Sequence, residues 1–500
     1  LRNPGYKLKG YDIWGNYKQN DVDGLTAASN AFEPLPAPEF NYVDQEDGLA
    51  DDNAAAWSIT DISLPSGGII QVDYESDDYQ YIQDKDAMRM FKLSGAGDVA
   101  DPSHVDNNFE FYPESTDNFS NQHEDEALLY KNTHDANYLY FRLDENDQGL
   151  EPGTPADVRL FKKKYIREIA NSQKGLIQFR MLLNMTPKGG ETPLIGEGWK
   201  SEPFDYVSGY FEVDTSDCTF FTDSDVANTR YGSIKMKSVD LEGGFGGLAD
   251  VNPISKSGWH FARKYLSRYV YGISDSESSG DPGVVLETIY QSLENLVEIF
   301  SGANGLLKAK KISRRFVPEK SWIRLGEPTD NKKGGGCRVK KIAMTDEWAS
   351  MTGATPDGIM DQEYGQEYSY TLLDGGSSGV ATYEPVGSKE NPLVQPVYVN
   401  TNRLLAPDEE NFVEAPFGES FFPNASVTYS RVAVKNLERF DDNGTSETTV
   451  DDRFVTKHAT GEVITEFYTS RDYPTITDQT KLWIEEDHNP LLSSLLHVNV

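Results

Sequence analysis

Cysteine is almost missing from this chain: its 500 residues hold two, Cys218 and Cys337. Two thiols cannot staple a disulfide-dense scaffold or complete a zinc ribbon, so the fold must be held by its own core. One bridge between them stays open, with a free buried thiol the commoner state in a domain of this size. No apolar run reaches the roughly 18 residues that a membrane-spanning helix needs. Histidine is sparse, with His104, His123, His134, His260, His458, His488 and His497 scattered along the chain. None is spaced as a zinc pair, and "HEDE" at 123–126 lacks the second histidine of a metalloprotease helix. Positive charge is short as well, 46 Lys and Arg against 81 Asp and Glu, a net −35. A field of that sign repels phosphate backbones and anionic lipid, which argues against nucleic acid as a partner. No signal peptide is visible, and a chain opening at Leu1 reads as an excerpt from a longer protein.

What the chain has in quantity is alternation. In "AAAWSITDISLPSGGIIQVDYES" an alternating run meets Pro65-Ser66-Gly67-Gly68 and resumes with Ile70, Val72 and Tyr74 on one face, the pattern of a β-hairpin. Period-two stretches recur at 137–143, 205–213, 232–241, 337–344, 367–373, 427–434 and 462–469. The acidic stretches at 100–126 and 438–452 ("ERFDDNGTSETTVDD") read as solvated loops or hairpin tips. The fold class expected is mainly β, an extended antiparallel β-hairpin sheet or shell.

The middle changes period. Asn252 and Pro253 form a helix start, followed by Phe261, Ala262, Tyr265, Leu266, Tyr269 and Val270 at helical spacing up to Gly272. A second helix is predicted from Asp281-Pro282 through Phe300, and a shorter one over 157–170. The expected organisation is a β-rich half over 1–249, a helical insert over 250–315 and a second β-rich half over 316–500.

Few residues assemble into chemistry. "EGGFGGLADVNP" (242–253) follows a strand and precedes a helix, but it has neither the Lys-Ser/Thr of a P-loop nor dinucleotide glycine spacing, so a tight turn is the better account. "DENDQG" (144–149) opens like a calcium loop, yet the twelfth position is Pro155 where a bidentate glutamate belongs. No cofactor is expected, with adventitious calcium at an Asp-rich tip as the open alternative. No nucleophile elbow occurs, and a glycosidase carboxylate pair cannot be picked from 81 acids. No catalytic residue is named, and a non-enzymatic role is expected.

Two local features stand out. Tyr11, Trp14 and Tyr17 sit around Gly10 and Gly15 in "KGYDIWGNYK", either as ligand-stacking aromatics or, the stronger candidate, as wedges packed at a corner. Between Leu306 and Lys341 there are 12 basic residues and three acidic ones, among them Lys308, Lys310, Lys311, Arg314, Arg315, Lys332 and Lys333. This is either a docking patch for an acidic partner or, preferred, an internal strip paired with the acids of the same chain.

The order of motifs carries a resemblance. "GYDIWGNYK", the hairpin "AAAWSITDISLPSGGIIQVDYES", "GGGCRVKKIAMTDEW", "YGQEYSYT", "SSGVATYEP", "APFGESFFPNASVTYSRVAVKN" and "GEVITEFYTSRDYP" resemble the region before the repeat array of very large RHS/YD-repeat-like proteins of Bacteroidota, over roughly residues 9–475. The resemblance implies β-hairpins wound into an RHS/YD-like shell or spiral sheet, in toxin-related secreted or cell-surface proteins. The chain departs from that family in lacking a run of YD repeats and a C-terminal toxin motif. The function expected is a non-enzymatic scaffold segment of such a giant protein. Its partners would be the remainder of its own chain or other components of a surface or secretion assembly. The alternatives are a cell-surface adhesin or carbohydrate-binding module, and a carbohydrate-active hydrolase.

Overall fold

Alternation of apolar and polar residues decides most of the architecture. The computed structural model describes residues 3–6, 10–18, 42–46, 48–102, 126–131, 134–166, 176–185, 204–223, 229–242, 247–266, 269–270, 302–329, 331–345, 363–385, 387–403, 406–416, 425–441, 453–456 and 461–475. Among these residues the chain forms 27 strands, β1–β27 in chain order, and four α-helices, α1–α4. The protein is mainly β, with extended sheets that are antiparallel apart from one short parallel pair.

A six-stranded sheet runs β1 (Asp61–Ser63), β2 (Ile69–Tyr79), β18 (Lys332–Thr345), β19 (Glu363–Ser369), β24 (Arg431–Asn436) and β27 (Glu462–Glu466). The predicted hairpin joins β1 to β2: Leu64 N donates to Gly68 O at 2.8 Å and Gly67, at φ 92°, donates back to Leu64 O at 3.0 Å. Only glycine takes that left-handed conformation without strain. Helix α1 (Leu49–Ala54) packs beside β2.

A nine-stranded sheet follows the path β12 (Thr219–Thr222), β13 (Arg230–Lys235), β9 (Tyr138–Arg142), β5 (Met88–Gly97), β17 (Trp322–Gly326), β10 (Leu176–Asn184), β16 (Arg315–Phe316) and β6 (Ala127–Leu128), with β11 (Phe204–Glu212) also paired to β10. One face of β10 presents Ile177, Phe179, Met181 and Leu183 to the main core. Helices α2 (Pro155–Tyr165), α3 (Pro253–Tyr265) and α4 (Ala303–Ala309) contribute Phe161, Tyr165, Trp259 and Leu307 to that same core. The rings of Phe91, Phe141, Phe161 and Tyr165 meet at centroid separations of 5.3–6.4 Å. Each such buried ring contributes about 1.5–3 kcal/mol.

Helix α3 starts as its sequence predicts. Asn252 Oδ1 accepts from Ile254 N at 2.8 Å and Ser255 N at 3.3 Å, with Pro253 at the first position. It breaks after Tyr265, where Leu266 leaves the helical region at φ −124°, ψ 32°; Tyr269 and Val270 are helical again, with Val270 N donating to Leu266 O at 3.0 Å, and Gly272 lies outside the described residues. Residues 271–300, which hold the second predicted helix, lie outside the described residues, as do 167–175 beyond α2.

A four-stranded sheet, β23 (Val427–Tyr429), β20 (Gly379–Ala381), β3 (Tyr81–Ile82) and β4 (Lys85–Asp86), contains the parallel pair β3–β20. The alternating run 427–434 is therefore two strands in two sheets, divided at Ser430. Four separate hairpins complete the list: β7 (Tyr130–Lys131) with β8 (His134–Asp135), β14 (Val239–Glu242) with β15 (Leu248–Val251), β21 (Val394–Arg403) with β22 (Ala406–Pro416), and β25 (Glu438–Asp441) with β26 (Arg453–Thr456). The glycine-rich stretch at 242–253 runs from the last residue of β14 through β15 to the first residue of α3, and the acidic stretch at 438–452 spans β25 and the chain leading to β26.

Candidate functional site

The opening aromatics are organised by an aspartate. Asp12 Oδ1 accepts from Trp14 N and Asn16 N, each at 2.9 Å, while Tyr11 and Tyr17 face each other across an isolated antiparallel bridge. Burial pushes the Asp12 carboxyl up to about 6, against the pull of the Asn16 and Trp14 N–H groups and of Lys18. The turn aims Trp14 inward, its ring centroid 6.3 Å from Tyr79 and 6.1 Å from Tyr383. The floor beneath it is Gly334 of β18, at φ 145°, where a Cβ would lie 2.7 Å from the Trp14 Nε1. Tyr17 packs edge-on to Trp57 at 5.3 Å, and Tyr11 keeps 48% of its surface exposed. Two of the three aromatics are thus wedges between the turn and neighbouring elements.

Below Trp14 lies a buried ionic joint. Lys332, at the start of β18, is 4% exposed at its side chain and uses all three ammonium donors: Glu384 Oε1 at 2.6 Å, Glu390 Oε2 at 2.7 Å and Met88 O at 2.7 Å. The Tyr79 hydroxyl donates to Glu384, and Met90 N donates to Glu390 Oε1 at 3.0 Å. Burial pushes the Lys332 ammonium down, but Glu384 and Glu390 more than offset it, so it stands above the ordinary lysine value. Burial and then Glu384 push the Tyr79 hydroxyl well above its ordinary range. Both glutamates are aimed by the loop "TYEPVGSKENP", in which Asn391 Nδ2 donates to Glu384 O at 3.1 Å and Leu393 N to Asn391 Oδ1 at 2.9 Å.

Two further joints flank this one. Arg89 of β5 reaches Asp144 Oδ2 at 2.7 Å and Glu327 Oε2 at 3.4 Å, and Thr329 donates to the other Glu327 oxygen through N at 3.2 Å and Oγ1 at 3.0 Å. Asp144 belongs to "DENDQG", and its Oδ1 accepts from Asn146 N at 3.1 Å, an Asx turn. Arg338 of β18 binds Glu75 Oε1 at 2.7 Å and Asp78, and lies between the rings of Tyr370 (4.6 Å) and Tyr429 (5.0 Å). Burial lowers the Arg338 guanidinium, but Tyr429, Asp78 and Glu75 together hold it above its ordinary value.

A cleft of about 670 Å³ opens beside these joints, lined by Tyr42, Arg89, Lys92, Asp144, Trp322 and Glu390 among others. Much of its wall is made of engaged groups. Arg89, Asp144 and Glu390 belong to the ion pairs above, and Lys92 binds Glu319 Oε2 at 2.7 Å. Tyr42 and Trp322 are buried against Ile13, Met90 and Tyr206. Of the carboxylates lining it, Asp144 and Glu390 are each bonded to a cation, while Glu46 and Glu145 are exposed.

The seven cations singled out in the sequence have separate surroundings. Lys308 bridges to Asp135 at 2.6 Å, Arg315 to Glu126 at 3.5 Å and Lys333 to Asp51 at 3.6 Å. Lys310 lies over the Tyr269 ring at 5.3 Å, and Arg314 is buried, its guanidinium lowered by burial and by Arg315. Lys311 is exposed, at φ 54°, and its carbonyl accepts from Asn184 Nδ2 at 2.9 Å. Lys332 is the member that enters the buried joint. Its partners Glu384 and Glu390 were not singled out in the sequence, where each stands within two residues of a proline.

Cys218, buried, and Cys337, half-buried, are both free thiols. Burial pushes the Cys218 thiol up to about 11, away from nucleophilic character. Among the described residues no group of three or more His, Cys, Asp or Glu side chains is arranged to hold a metal ion, and no helix is long and apolar enough to cross a membrane. No family model, curated protein or solved structure matches the chain.

Proposed function

We propose that this chain is a non-enzymatic architectural segment of a much larger secreted or cell-surface bacterial protein, of the RHS/YD-repeat-like kind that its motif order resembles. Its partners are the remainder of that protein or other components of the same surface or secretion assembly. One observation supports the reading above the others: a fully buried lysine, with two buried glutamates, is spent on joining strands of different sheets. Lys332 ties the six-stranded sheet to Met88 of the nine-stranded sheet and to the loop after β20. Breaking such a joint is costly, because its partners stay buried and unpaired, which suits a part whose task is to keep sheets in register.

The test is limited proteolysis combined with urea unfolding of the full chain, followed by tryptophan fluorescence and far-ultraviolet circular dichroism. A scaffold joined in this way gives one resistant body and coincident transitions for the two probes. Separate transitions, with fragments that refold independently, would overturn it.

A further inference from the structure

Among the described residues the six-stranded sheet ends on a strand, β27, paired on one side alone, with β24. Among the described residues nothing pairs with the outer edge of β27, and every one of its five residues is exposed. The opposite edge, β1, has only three residues and turns off at Pro65, the usual protection of a sheet edge. Strand β27 has no proline, no lysine and no bulge in its pairing with β24. In it and just after it stand exposed apolar residues, Val463 (57% exposed) on one face and Ile464 (49%) on the other, followed by Phe467 (53%), Tyr468 (82%) and Tyr473 (75%).

The charges across the sheet say what would fit. Reading one row from strand to strand, Asp73 of β2 stands opposite Lys341 of β18, Lys341 opposite Glu367 of β19, Glu367 opposite Lys435 of β24, and Lys435 opposite Glu462 of β27. Sign alternates at every step and the row stops on an acid. Two positions along, Ile464 faces Ala433, and two further, Glu466 faces Arg431. The sequence already paired with β27 is thus Arg-Val-Ala-Val-Lys, with basic side chains four residues apart around small apolar ones. A strand on the outer side meets the same three side chains, Glu462, Ile464 and Glu466, because directly opposed residues project to the same face.

We propose that the outer edge of β27 accepts a β-strand of another polypeptide, one carrying Lys or Arg four residues apart with small or β-branched apolar residues between them. A second copy of this chain does not fit. An antiparallel pair about Ile464 sets Glu462 against Glu466 of the copy, like charges in direct opposition, and each copy carries a net −35. Such an edge would serve a scaffold or an enzyme alike, so its failure leaves the architectural reading standing.

The experiment uses the full chain and two tagged heptapeptides, Thr-Lys-Val-Ala-Val-Lys-Thr and its counterpart with Glu for both Lys. Fluorescence anisotropy reads binding, and amide hydrogen exchange reads protection over 462–466. The basic peptide is expected to bind and slow exchange there, with the acidic peptide weaker by about tenfold. The double variant Glu462→Lys/Glu466→Lys, altering only exposed side chains, reverses the preference. The comparison of peptides on the unaltered protein decides the matter without any variant. Equal binding of both peptides, absence of protection over 462–466, or sedimentation showing a dimer that buries this edge would each overturn the proposal.

Discussion

Lys332 offers three donors to three buried acceptors, and this stoichiometry fixes what its removal does. Lys332→Met leaves Glu384 and Glu390 facing each other out of water, with an expected loss of about 3–5 kcal/mol of stability in urea unfolding. Adding Glu384→Gln and Glu390→Gln removes the stranded charge and recovers most of that loss; a triple variant no better than the single one would refute this account. The same group sets a pH limit. Its value in the folded chain lies above that of an unfolded lysine, so its contribution is whole below about pH 10.4 and falls as pH rises toward the folded value. Tyr79, also raised, acts in the same direction, since the unfolded phenol ionises first. Stability measured between pH 8 and 11 should hold and then decline from near pH 10, a decline that is shallower in Lys332→Met.

Among elements, the strands with β-turns between them were legible and the places where strands change partner were not. Gly67 and the alternation on either side of it announce β1 and β2, because a tight turn has few sequences that can make it. At Ser430 the sign is faint: within the period-two stretch 427–434 two polar residues, Ser430 and Arg431, fall in succession where the chain leaves one sheet for another. The ionic joint was equally hidden, because Lys332 and Glu384 are 52 positions apart and any of 81 acids could have met the lysine. Helix α3 was read from Asn252 and Pro253, and Tyr269 and Val270 in the apolar spacing are helical as read, but the break at Leu266 between them carries no signal in the sequence. Close strand approach predicts two classes of glycine. A Cβ at Gly379 of β20 would overlap the backbone oxygen of Asp78, which cannot swing aside, so Gly379→Ala should cost about 2–3 kcal/mol. Gly15, at φ 88° with open space around it, should cost about 1 kcal/mol when changed to Ala. Equal costs in chemical denaturation would count against the packing described for β20.

For the whole molecule, the balance of charge sets the response to salt. A net −35 spread over the surface repels itself, and exposed ion pairs such as Lys237–Glu212 return little, about 0–1 kcal/mol each. The joints that matter are buried and barely screened. Raising ionic strength from about 0.01 M to 0.15 M shortens the Debye length from roughly 30 Å to 8 Å, so Tm in scanning calorimetry is expected to rise. A fall would mean that surface pairs outweigh the repulsion.

The change of sheet at Ser430 has a mechanical side. Tyr429 is clamped in the four-stranded sheet and Arg431 in the six-stranded one, so tension along the backbone there loads two ladders through one short span. Neither ladder can be peeled open rung by rung from that point without dragging on the other. Wherever the chain is pulled, such a rivet spreads a local tug over both plates.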